Sequence, residues 1–180
     1  GECNVAVGRK SLVINTTGDK NTAVGHTALG GLTTGSENTG VGFDTMNSTV
    51  TGQGNTAVGH GNMGSLTSGA TNTSIGNSAS PALTTGSNNT TAGDASGISL
   101  TTGVNNLLLG HDAGRAGSPG GAISTASNQI VLGDESISSA YIQVDWTVAS
   151  DQRDKTDFNN LDLGLDFVNT LNLSLIHISE

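Results

Sequence analysis

A chain of 180 residues with 33% apolar side chains, only three Phe, one Tyr and one Trp, and a net charge of −9 has little from which to build an ordinary globular core. The acidic balance disfavours nucleic acid, which selects a basic stripe, and the single Cys3 excludes an intrachain disulfide or a cysteine-rich metal site. Apolar runs no longer than Leu107–Leu109 or Ile130–Leu132 offer no helix to span a bilayer. The chain opens on Gly-Glu-Cys rather than Met, with no secretory leader in view, and reads as a piece of something longer.

Composition alone suggests disorder, but the spacing argues for order. Asn stands at 4, 21, 38, 55, 72, 89 and 106, a period of 17 residues without slippage. Gly follows each Asn by four, at 8, 25, 42, 59, 76, 93 and 110, and a second Gly recurs at 18, 35, 52, 69, 86 and 103. Fixed short periods of this kind mark stacked-repeat architectures, in which each unit buries its apolar side only against its neighbours. The expected fold is all-β: a repetitive parallel β-solenoid or β-roll of 17-residue coils over 1–133.

Each unit, as in Asn21–Glu37, reads N-T-A-V-G-x-x-A-L-x-x-L-T-T-G-x-x. The Thr-Ala-Val stretch, bounded by Asn and Gly, is a short strand. Period-two alternation predicts that the column Val7, Val24, Val41, Val58, Ile75 and Leu109 faces inward, with Ala92 its small exception. The middle column, Ala6, Ala23, Gly40, Ala57 and Ser74, then faces a crowded neighbour or solvent. Leu32, Leu66, Leu83 and Leu100 suggest a second short strand per coil, closed by Gly in a backbone conformation other residues resist. Stacked Asn side chains would hold the opposite corner. The turn-forming residues are thus Asn21, Gly25, Gly35, Asn38, Gly42 and Gly52 with their repeats. At about 4.8 Å per coil, seven coils make a rod about 30–35 Å long. So thin a core favours oligomerisation.

The seventh unit is interrupted by Gly117–Gly121, and the pattern resumes at Gln129-Ile-Val-Leu-Gly133. Over 134–149 the period becomes two, with Ala140, Ile142, Val144, Trp146 and Val148 on one face, and predicts an extended β-strand neck. Charge rises after Ser150, and Leu165, Val168 and Leu171 predict a short C-terminal helix. Eight of the 15 acids fall between Asp134 and Asp166, which reads as solvated surface.

The repeat resembles those of bacteriophage tail fibres and tail spikes, and is also similar to the N-S-V-A-I-G repeats of trimeric autotransporter adhesin heads. The stretch Ala140-Tyr-Ile-Gln-Val-Asp-Trp-Thr-Val-Ala-Ser-Asp-Gln-Arg-Asp-Lys155, followed by Gly164-Leu-Asp-Phe-Val-Asn-Thr-Leu171, resembles the start of the endosialidase-type intramolecular chaperone. Members of that family help three chains assemble and then cut themselves off at an S-D-x-x-x-K motif, matched here by Ser150, Asp151 and Lys155. The resemblance implies Ser150 as nucleophile, Lys155 as its general base and Ala149–Ser150 as the bond cut. A lysine desolvated enough to be neutral can take a serine proton.

Only residues 150–172 resemble that domain, and Leu173-Ser-Leu-Ile-His-Ile-Ser-Glu180 reads as a translated sequencing adapter. The chaperone is therefore expected to be incomplete and the fragment inactive as a peptidase. His26, His60 and His111 share one repeat position, but the closest pair is two coils apart, about 10 Å. They read as surface residues, and neither a metal site nor a cofactor is expected. Gly114–Gly121 has no strand-to-helix context and no Lys for a phosphate cradle. The resemblance implies a homotrimeric shaft in a virion tail, with a host cell-surface glycan or outer-surface protein as partner. The alternative is an adhesin head on a bacterial cell surface.

Overall fold

The computed structural model describes residues 1–143, and Gly1–Ala140 form one compact body. It is an all-β solenoid of eight parallel strands in chain order: β1 Val5–Val7, β2 Thr22–Val24, β3 Thr39–Phe43, β4 Thr56–His60, β5 Thr73–Asn77, β6 Thr90–Ala92, β7 Leu107–Leu109 and β8 Ile130–Leu132. From β1 to β7 each strand pairs in register with the residue 17 positions on, as in Val5–Thr22 and Ala57–Ser74. The step from β7 to β8 is 23 residues (Leu107 to Ile130), so the interruption after Gly117 adds six residues without breaking the stack.

The Asn column supplies the vertical bonding. Oδ1 of Asn38 accepts the backbone N–H of Asn55 at 3.0 Å, and Asn55 Oδ1 accepts that of Asn72 at 3.0 Å. The pattern runs from Asn4 to Asn106, whose Oδ1 takes the N–H of Gln129. From Asn4 to Asn89 each Nδ2 donates to the second-column Gly carbonyl of its own coil, as Asn55 does to Gly69 at 2.9 Å, and Asn106 donates to Ala126 instead. From Asn21 to Asn106 these side chains are buried. In that setting an amide is one of few groups able to satisfy both donors and acceptors.

The two glycine columns are needed for different reasons. Gly42 has φ +130, a conformation that disfavours any Cβ, and the same holds along its column. Gly52 has no such φ; a Cβ there would lie 1.9 Å from the Gly69 carbonyl oxygen of the next coil. The second column is therefore small because coils stack through it, not because its backbone demands glycine.

Two expectations are corrected. The Val7 column faces outward: Val7, Val24 and Ile75 are 55%, 36% and 46% exposed, while Ala23, Ala57 and Ser74 of the middle column are fully buried. The reason is volume. Leu29, Met46 and Met63 project into the roll from the turn after the strand, and a Cβ at Gly40 would already lie 2.9 Å from Leu29 Cγ. Only small residues fit opposite them. Where the turn residue shrinks to Gly97 and Gly114, the strand position enlarges to Leu108, whose Cδ1 approaches both glycines.

The second strand also does not form. The Leu32, Leu66, Leu83 and Leu100 column is buried as an inner wall, with Val50 and Ile123 filling the same seat in their coils, but its backbone makes only one isolated bridge, Leu32–Val50. The bonds converge instead of alternating. Thr84 carbonyl oxygen, for example, accepts from Thr67 N, Gly69 N and Thr67 Oγ1, which makes a bend rather than a ladder. Residues 134–143 contain no strand. The rest of the expected neck, the self-cleavage motif at Ala149, Ser150, Asp151 and Lys155, and the helix near 164–171 lie outside the described residues.

The residue before each ladder Asn holds a left-handed φ, including Glu37 at 62° and β-branched Thr71 at 58°, where the preceding coil has Gly54. Two substitutions should therefore act in opposite directions. Asn55→Ala should lower stability by about 1–3 kcal/mol for each buried partner it strands. Thr71→Gly should raise it by about 1 kcal/mol by relieving the Cβ clash. Thermal unfolding followed by circular dichroism reads both.

Candidate functional site

Because successive coils repeat in register, one position, the last residue of β3, β4 and β5 and two residues past the end of each shorter strand, becomes a continuous surface column. It runs Arg9, His26, Phe43, His60, Asn77, Asp94, His111 and Asp134, one side chain per coil. Every neighbour pair touches. Arg9 Nη1 donates to His26 Nε2 at 3.2 Å. The His26 and Phe43 rings stack with centroids 5.2 Å apart, as do Phe43 and His60. His60 Nδ1 donates to Asn77 Oδ1 at 3.1 Å, and Asn77 Nδ2 to Asp94 Oδ1 at 2.9 Å. Phe43 thus separates the nearest two histidines, which cannot share one ion within a chain.

The column ends in a charged cluster. His111 Nδ1 donates to Asp134 Oδ2 at 3.1 Å, and its Nε2 lies 3.8 Å from both Asp94 Oδ2 and Asp112 Oδ2. Arg115 Nη1 donates to Asp112 Oδ2 at 2.7 Å. Ser136 N donates to Asp134 Oδ1 at 2.9 Å. Asp112, Arg115, Gly117, Ser118, Asp134 and Glu135 border an open cavity of about 280 Å³. The six-residue insertion folds over its rim, with Ser118 N bonded to Arg115 O and Gly121 N to Ser118 O. This cluster is not visible in the sequence as a spacing. Asp94 precedes His111 by one period, but the insertion places Asp134 23 residues after it.

Of the residues singled out from sequence, Asn21, Asn38, Gly35 and Gly52 are buried in the stacking corner, while Gly25 follows β2 and Gly42 lies within β3, both at φ +130. They build the rod and present no chemistry to solvent. A second shallow groove, of about 300 Å³, is bordered by Asn88, Asn105, Asn128 and Gln129 beside Leu107 and Ile130. Asn105 Nδ2 there donates to Asn128 Oδ1 at 2.8 Å.

No protein-family model matches the chain, and neither does any curated protein or solved structure. Among the described residues no helix is long and apolar enough to cross a membrane.

The hydrogen bond to Asp134, aided by the charge of Asp112, raises the His111 pKa above 6.5; the same bond, with that from Ser136 N–H, lowers Asp134 below 3.8. His111 therefore favours the folded state fully below pH 6.5, a contribution lost as pH rises through its raised value. Asp134 contributes above pH 3.8 and loses this as pH falls through its lowered value. The pair is complete between those two limits. Proton NMR of the His111 ring should show a raised titration midpoint that Asp134→Asn returns toward its ordinary value.

Proposed function

We propose that the chain is part of the shaft of a bacteriophage tail fibre or spike, assembled as a homotrimer and presenting its exposed turns to a host cell surface. The observation that carries the reading is the outward face of the sheet. Two columns of side chains face outward in every strand, as in Val5 and Val7, Thr22 and Val24, Thr73 and Ile75, or Ile130 and Leu132, and the longer β3, β4 and β5 add Phe43, His60 and Asn77. No charge interrupts either outward column in any of the eight strands. Val7, Ile75, Ile130 and Leu132 are each close to half exposed or more. The second column, from Val7 to Leu132, is apolar in every strand, while the first is Thr from Thr22 to Thr90; an apolar strip of this length is unfavourable in water and favours burial against a partner. A second and third copy fit it best, because only another rod of the same period keeps its side chains in step along the whole strip.

The phage assignment rests on the resemblance of 140–155 and 164–171 to the self-cleaving chaperone, with Ser150 and Lys155 in the catalytic positions. Three parallel rods would multiply weak contacts to a glycan or an outer-surface protein, in keeping with a place in the virion tail. The adhesin-head reading shares the roll but requires a coiled coil and a membrane anchor on its C-terminal side in place of a chaperone.

Reading the source DNA past the codon for Asn172 separates the two. On the phage reading the frame continues into a chaperone domain, and the protein expressed from it is cut between Ala149 and Ser150 unless Ser150 is changed to Ala. Sedimentation velocity should give a trimer for that protein. Ile75→Asp, which places a charge on the outward strip, should shift it to monomer with its β circular dichroism retained. A monomeric parent would sink the strip as an assembly face.

A further inference from the structure

We propose that His111, Asp112 and Asp134 form a binding site for a divalent transition-metal cation of the Zn²⁺ type. One ring nitrogen of His111 and one carboxylate oxygen from each Asp lie within 4.8 Å of one another. A modest closure of these side chains brings them to the spacing of ligands around one such ion, whose bonds are about 2.0–2.2 Å long. The site is held by two segments of the chain. His111 follows β7, Asp112 sits in the next turn at φ 53, and Asp134 follows β8, so parallel pairing of β7 with β8 fixes their separation.

A second observation points to a missing positive partner. Asp112 Oδ2 is taken by Arg115, but its Oδ1 is buried from solvent and has no hydrogen-bond donor. A carboxylate oxygen stranded in this way is costly, and a cation bound through both oxygens of Asp112 would give it a partner. The charge balance agrees. Asp94, Asp112, Asp134 and Glu135 converge near this end of the column against Arg115 and the imidazole of His111. Carboxylates flank both ring nitrogens: Nδ1 bonds Asp134, and Nε2 lies 3.8 Å from both Asp94 Oδ2 and Asp112 Oδ2.

The donor set selects the ion. An imidazole with two carboxylates suits zinc and its neighbours, whereas calcium takes about 6–8 oxygens. The open cavity beside the cluster leaves room for water or an external carboxylate to complete the shell.

The test is calorimetric titration of the full chain with Zn²⁺ alone, beside proton NMR of the histidine rings. The expected result is one saturable site per chain, with selective perturbation of the His111 ring. Binding should weaken about tenfold or more in His111→Ala and in Asp134→Asn, and remain unchanged in His60→Ala, which alters the same column at a distance. The NMR readout on the parent chain holds even if a variant folds poorly. Absence of saturable binding up to about 1 mM free Zn²⁺, a response of His26 or His60 in place of His111, or tighter binding of Ca²⁺ than of Zn²⁺ would each overturn the assignment.

Discussion

The molecule depends on a line of buried asparagine side chains. Each amide from Asn21 to Asn106 bonds its own turn and the backbone of its neighbour, so that satisfying one coil requires the next. Removing a rung takes the partner from polar groups in adjoining coils at once. The left-handed backbone at Glu37 and Thr71, unfavourable in isolation, persists because the ladder residue next in the chain is fixed above and below. Cooperativity here is transmitted between neighbours, as in other quasi-one-dimensional folds.

That geometry leaves a narrow interior, and the narrowness decides which side chains go where. A slot facing Leu29 or Met46 admits alanine, glycine or serine, so valine and isoleucine are turned to the outside. At β5 the exchange even becomes polar: Ser80 Oγ bonds Ser74 Oγ at 2.8 Å inside the roll. The outer apolar strip is thus a consequence of inner packing.

The same in-register stacking converts one variable position per coil into a contiguous surface column. Where its members are aromatic they stack, and where they are acidic they converge on His111. The insertion after Gly117 sits beside that convergence and forms part of the rim of its cavity. The chemically distinctive part of the described surface therefore coincides with the one break in the period.

The sequence by itself determined the architecture, because a strict 17-residue spacing of Asn and Gly has few physical meanings other than stacked coils held by side-chain amides and close backbone approach. It also located the strands and the interruption. It could not assign the faces of those strands: Val24 and Ala23 alternate identically whichever points inward, and the choice was made by the volume of Leu29 and Met46 arriving from another turn. Nor could it separate a true second strand from a bend, since both use the same Leu-Thr-Thr-Gly letters and differ only in how the carbonyls are shared. The His111 cluster was hidden for a related reason. Its members are separated by unequal lengths of chain, and only the pairing of β7 with β8 across the insertion brings Asp134 to the imidazole.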